Sequence, residues 1–127
     1  MQPPSRSILV VDDDRHLCDV LTELLSEAGY IVSCANDGEE AWEEIQRRAP
    51  DIILSDVKMP RLDGIGLAAR LASCGYATPI ILMSAGHRDW TGVSTTVIRK
   101  PFELDHLLAA LVNTLSPSTT RRAAASA

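Results

Sequence analysis

Ser7-Ile8-Leu9-Val10-Val11-Asp12-Asp13-Asp14 is a short, nearly all-apolar run that stops abruptly in three carboxylates. A run of that length and composition suits a strand buried on both faces, as in a parallel sheet with helices above and below. The same design returns three times. Asp56 closes Asp51-Ile52-Ile53-Leu54-Ser55, Ser84 closes Pro79-Ile80-Ile81-Leu82-Met83, and Lys100-Pro101 closes Thr95-Thr96-Val97-Ile98-Arg99. Parallel strands of an open α/β sheet share one carboxyl edge, and ligands bind in the crevice outside it. Three carboxylates, a hydroxyl and an ammonium are therefore expected to converge on one spot.

Helix signals separate the strands. Asp14 suits an N-cap, and the cap is the only role expected of it. Leu17, Val20, Leu21, Leu24, Leu25 and Ala28 follow at helical spacing until Gly29. Tyr30 to Ala35 is expected as the second strand, and Asn36-Asp37-Gly38 as a turn and cap. A second helix should turn Ala41, Trp42, Ile45 and Ala49 inward and end at Pro50. After the loop Met59-Pro60-Arg61-Leu62-Asp63-Gly64, a third runs from Ile65 to Cys74, stopped by Gly75. The last carries Leu104, Leu107, Leu108, Leu111, Val112 and Leu115 on one stripe and ends at Ser116-Pro117. Between Ser84 and Thr95 the residues Gly86, Trp90, Thr91 and Gly92 leave room for only a turn or two of helix. Five strands alternating with helices give right-handed crossovers and an α/β, flavodoxin-like, doubly wound parallel sheet of order 2-1-3-4-5, with helices on both faces. Its switch point lies between the first and third strands, where Asp12, Asp13 and Asp56 end.

The 127 residues make one domain, with 1–6 as an extension, 7–116 as the folded unit and 117–127 as a flexible tail or linker stub. A net charge of −5 and no basic stripe argue against direct nucleic-acid binding. No apolar run approaches the roughly 20 residues of a membrane span, and no signal peptide opens the chain. Cys18, Cys34 and Cys74 are odd in number and form no Cys-x-x-Cys pair, so reduced thiols in a cytoplasmic protein are expected, without disulfide frame or zinc site.

Clustered carboxylates repel: two unit charges 4 Å apart cost roughly 4 kcal/mol at an effective dielectric of 20. Mg²⁺, a hard ion that takes oxygen ligands and bridges to phosphate, relieves that repulsion. Asp56 can then act as the nucleophile toward a phosphoryl group, with Lys100 and the Ser84 hydroxyl facing its oxygens.

Taken in order, Val10-Val11-Asp12-Asp13-Asp14, Ser55-Asp56-Val57-Lys58-Met59-Pro60 with Asp63-Gly64, Met83-Ser84-Ala85, and Lys100-Pro101-Phe102 resemble the receiver domain of bacterial two-component response regulators. The likeness runs to about Ser116. It implies that Asp56 is the phosphoacceptor and that Asp13 and Asp56 hold Mg²⁺, with Asp12 joining directly or through a water. It also implies that the Lys58 backbone carbonyl adds a ligand, that Ser84 and Lys100 contact the phosphoryl group, that small Ala85 leaves access to it, and that Lys100-Pro101 is cis. The implied partners are a sensor histidine kinase or phosphotransfer protein and an unknown downstream effector, the chain being a monomer or weak dimer. It would be a switch and not an enzyme, apart from its own phosphotransfer and autodephosphorylation.

Two departures bear on output. Val97 stands where the family has an aromatic residue three positions before the lysine, and the segment from Ser84 to Lys100 is short. Phosphorylation is thus expected to reorder Ala85 to Thr95, with Trp90 as reporter. The departures also motivate an alternative, a receiver-like docking module that binds partners without phosphorylation. A small Mg²⁺ phosphatase or phosphotransferase is a third class, without a visible substrate lid. His87-Arg88-Asp89 mimics a kinase loop by coincidence, because no glycine-rich loop accompanies it. His16 and His106 are expected on helix surfaces, and the Lys58 side chain in solvent. No output segment follows Ser116, so a stand-alone receiver or a stop in a linker is expected.

Overall fold

The computed structural model describes residues 5–85 and 95–115. The elements are β1 (Ser7–Val11), α1 (Arg15–Glu27), β2 (Ile31–Ala35), α2 (Gly38–Arg47), β3 (Ile52–Asp56), α3 (Gly64–Ser73), β4 (Ile80–Ser84), β5 (Thr96–Arg99) and α4 (Leu104–Leu115). The sheet is parallel throughout in the order β2-β1-β3-β4-β5, as the strand runs required. The expected short helix between Ser84 and Thr95 and the tail fall largely or wholly outside the described residues.

Alternation along β1 divides the core. Ile8 and Val10 join Cys18, Leu21 and Leu25 of α1 and Leu107 and Leu111 of α4 on one face. Leu9 and Val11 join Ala41 and Ile45 of α2 and Leu67 and Leu71 of α3 on the other. β3 and β4 are buried on both faces, apart from the partly exposed Asp56 that ends β3. This is why both strands read as unbroken apolar runs.

Local chemistry sets the helix ends. Asp14 Oδ1 accepts the backbone N–H groups of His16 at 3.0 Å and Leu17 at 3.2 Å, so Asp14 is the cap of α1. Asp37 caps α2 through Glu40 N–H at 2.8 Å, and Asp63 caps α3 through Gly66 N–H at 2.7 Å. Gly29 and Gly75 stop their helices with φ of 102° and 81°, where a side chain would be strained.

Several expectations need correction. Asp51 precedes β3 and instead accepts Ser7 N–H at 2.8 Å, tying the starts of β1 and β3 together. Ala49 is exposed, because α2 ends at Arg47 and Arg48 turns extended. Val112 is 57% exposed: it lies 100° round the helix from Leu111, at the stripe's edge. Cys18, absent from the expected stripe of α1, is buried in its centre. Edge strand β2 leaves Ile31 62% exposed. His16, His106 and the Lys58 side chain are exposed, as expected.

Candidate functional site

The carboxyl ends of β1, β3, β4 and β5 bring the acid and base groups together. Asp12, Asp13 and Asp56 each offer a carboxylate oxygen, and these oxygens lie within 4.8 Å of one another. Their surroundings differ. Asp12 is 1% exposed, Asp56 is half-buried and Asp13 is exposed. Asp12 Oδ1 accepts the N–H of Asp14 at 2.9 Å, which fixes the carboxylate under the turn into α1. Its other oxygen accepts from Lys100 Nζ at 3.2 Å. Asp56 Oδ1 accepts the N–H of Val57 at 3.0 Å and lies 3.4 Å from the same ammonium.

Lys100 thus spans two carboxylates. Its own N–H donates to the Ser84 carbonyl at 2.7 Å, extending the β4–β5 ladder one step past the strands. The Lys100-Pro101 bond is cis, as the resemblance implied. Ser84 is buried at the end of β4, where its backbone holds Lys100. Lys58 lies two residues beyond Asp56, and Ala85 is exposed at the site's margin.

The electrostatics match this crowding. Burial, and next the charge of Asp12, push the Asp56 carboxyl above its ordinary pKa, while Lys100 pulls the other way. For Lys100, burial disfavours the charged form, but Asp12 and Asp56 together outweigh it and hold the ammonium above its ordinary range. Among the described residues, the Lys100 ammonium pairs with Asp12 and Asp56 while Asp13 adds a third carboxylate, a surplus of negative charge. All-oxygen donors at that spacing suit a hard divalent cation such as Mg²⁺.

The sequence did not single out how closely Gly64 approaches the site. It donates its N–H to Val57 carbonyl at 2.9 Å, and a Cβ there would collide with the Asp56 carbonyl oxygen. The signal available was the Asp63-Gly64 pair following the acid loop. Arg61, at φ 68°, lies outside the pocket, with Nη2 3.1 Å from Asp37 Oδ1.

A doubly wound sheet with an acid cluster at its switch point and a lysine just past edge strand β5 reaching back to it defines a receiver-type module. Residues 8–112 match the family model of the response regulator receiver domain, and the chain belongs to that family. It acts in two-component signalling as a response-regulator receiver. It is 44% identical over 112 residues to Response regulator MprA of Mycobacterium leprae (strain TN), covering 80% of this chain and 47% of that protein. The chain therefore spans about half the length of the MprA relatives it matches. Among solved structures, the Francisella response regulator 1452 receiver domain superposes with a TM-score of 0.80 at 32% identity, covering 87% of this chain and 96% of that one. The BeF3-activated N-terminal receiver domain of Klebsiella pneumoniae RstA gives 0.79 at 27% identity, covering 87% and 98%. Among the described residues no helix is long and apolar enough to cross a membrane.

Proposed function

We propose that Asp56 accepts a phosphoryl group from a histidine kinase or phosphotransfer protein in a Mg²⁺-dependent reaction, and that the modified domain is read by a downstream effector. The observation that carries this reading is Lys100, whose ammonium sits between the Asp12 and Asp56 carboxylates with Asp13 beside them. Asp12, Asp13 and Asp56 are the groups that would hold the cation, with the Lys58 carbonyl as a further ligand by family resemblance. When bound, Mg²⁺ would neutralise these carboxylates and the incoming phosphoryl oxygens.

The chain's own groups account for the rest. Val57 N–H fixes Asp56 Oδ1, leaving Oδ2 as the attacking atom. As Oδ2 bonds to phosphorus, the phosphorus–nitrogen bond of the donor phosphohistidine breaks, and the electron pair leaves with the imidazole. Such transfer is mostly positioning and charge neutralisation, and Lys100 can swing from carboxylate to phosphoryl oxygen at little cost. Ser84 would donate its hydroxyl to another oxygen. On this reading the protein's chemistry is confined to phosphotransfer onto itself and loss of that group, and a cytoplasmic location fits its kinase partner.

Incubation of Asp56→Asn with acetyl phosphate and Mg²⁺, followed by intact-mass measurement, tests the assignment. The wild type should gain one phosphoryl group and the variant none; full acid-labile labelling of the variant overturns it. Val97, where the family carries an aromatic residue, favours the second reading of a docking module. A wild type that binds no beryllofluoride would support that reading instead.

A further inference from the structure

Two cysteines that the acid site does not use lie together beneath it. Cys18, on the first turn of α1, is buried, whereas Cys34 on edge strand β2 is exposed. They meet where α1 packs on β2. Cys34 Sγ also lies 3.2 Å from Thr22 Oγ1 and 3.8 Å from the Cys18 carbonyl oxygen, so it is held against one short stretch of α1. A surface groove of about 320 Å³ is lined by Arg15, Cys18, Asp19, Cys34 and Asn36, and the exposed Cys34 opens onto it. Cys74, at the C-terminal cap of α3, is exposed and remote in the fold from this groove.

We propose that Cys18 and Cys34 form a peroxide-responsive dithiol, in which a hydroperoxide oxidises Cys34 and Cys18 then closes an intramolecular disulfide between α1 and β2. The Cys34 sulfur attacks the distal peroxide oxygen. A sulfur–oxygen bond forms, the oxygen–oxygen bond breaks, and the leaving oxygen takes a proton to become water or an alcohol. Cys34 is thereby oxidised by two electrons to the sulfenic acid, and the hydroperoxide is reduced. The Cys18 sulfur next attacks the Cys34 sulfur, the sulfur–oxygen bond breaks, and hydroxide leaves with the Cys18 proton as water. Closure sets the two sulfurs about 2.05 Å apart.

The environment divides the roles. Hydrogen bonds from Cys18 and Thr22 hold the Cys34 thiol down at about 6, against burial and the nearby charge of Asp19. Cys34 is exposed and meets the peroxide first, whereas Cys18 is buried behind it and is the resolving partner. The new bond would adjoin the acid site from below. Cys18 Sγ lies 3.4 Å from the Asp12 carbonyl oxygen, and Ala35, next to Cys34, accepts the Asp12 N–H at 3.1 Å.

Peptide mapping of the full chain after hydrogen peroxide and thiol blocking tests the proposal. The expected product is a monomer about 2 Da lighter, with Cys18 linked to Cys34 and Cys74 still alkylated. Cys18→Ser should instead accumulate a dimedone-reactive sulfenic acid on Cys34, and Cys34→Ser should form no linked peptide. Iodoacetamide at pH 6 should label Cys34 about tenfold faster in the folded chain than in the same chain unfolded in urea, since a larger thiolate fraction outweighs its lower intrinsic nucleophilicity. Recovery of both thiols unmodified, linkage only between molecules, or equal oxidation of Cys74 would overturn it.

Discussion

Lys100 and Asp12 stand 88 positions apart in the chain and 3.2 Å apart at their charged atoms. Asp12 is 1% exposed, and the lysine side chain 21%. Removing the lysine strands a buried carboxylate, which costs about 3–5 kcal/mol for a fully buried pair. Solvent reaches Lys100, so roughly 2 kcal/mol is expected for Lys100→Met. Urea unfolding checks it, and Asp12→Asn in the same chain should restore most of the loss. The pair also sets an alkaline limit. The folded-state pKa of Lys100 lies above its unfolded value. Its contribution is therefore complete below the ordinary lysine pKa of about 10.4 and is lost as pH rises through the folded value. Wild-type stability should fall in that window more steeply than that of Lys100→Met.

Asp56 has the opposite consequence at neutral pH. Burial and Asp12 raise its folded-state pKa, so the native state holds that proton more tightly than the unfolded chain. The stability gained is complete below the unfolded pKa and disappears as pH rises through the folded one, leaving a crowded carboxylate that opposes folding once ionised. In EDTA, Asp56→Asn should therefore melt above the wild type by several degrees, a change of about 1 kcal/mol in a domain of this size. Added Mg²⁺ should raise the wild-type melting temperature and narrow that gap. A variant that melts below the wild type in EDTA would show that the Lys100 contact outweighs the repulsion.

Gly64 and Gly66 separate packing from helix propensity. At Gly64 a Cβ would meet the Asp56 carbonyl, with Leu82 Cδ2 at 2.9 Å and Val57 Cα at 3.2 Å. Backbone cannot step aside as a side chain can, so Gly64→Ala should cost about 2–3 kcal/mol and disturb Asp56. At Gly66 the nearest atom is the end of the Leu62 side chain, Cδ1 at 2.8 Å. There the helix gains up to ~1 kcal/mol from alanine. Chemical denaturation of the two variants should give changes of opposite sign, or at least differ by 2 kcal/mol.

The central strands and the acid pocket were legible because β1, β3 and β4 are short, buried on both faces and ended or followed by a polar residue with a job at the edge. Leu9 and Val10 enter different cores, as neighbours along a strand do. The strand order was expected because five strand–helix units fit the flavodoxin-like doubly wound arrangement, and the sheet has that order. What stayed hidden depends on neighbours that a spacing pattern does not contain. The stripe of α4 is right at Leu107 and Leu111 but ends before Val112, because the width of a buried stripe is set by what packs on it. Ile31 is as apolar as its strand requires and faces solvent because β2 is the sheet's edge. Cys18 and Cys34, 16 positions apart, meet only because α1 folds back over β2.

Asp13 and Asp14 are chemically identical neighbours with different work. Asp14 Oδ1 accepts two N–H groups at the start of α1, whereas Asp13 is exposed beside Asp12 and Asp56. Asp14→Ala should cost about 1 kcal/mol of stability, the usual loss of a helix cap, and leave Mg²⁺ affinity within about threefold. Asp13→Ala should change apo stability by less than about 0.5 kcal/mol, as surface substitutions do. Its Mg²⁺ affinity should drop tenfold or more, about 1.4 kcal/mol. Paired calorimetric titrations and urea melts on both variants decide the matter. If Asp13→Ala binds Mg²⁺ as the wild type does, the exposed carboxylate is not a ligand and the cation, if any, rests on Asp12 and Asp56 alone. If both variants lose affinity equally, the effect is one of net charge near the pocket, and no single carboxylate at that turn coordinates the ion.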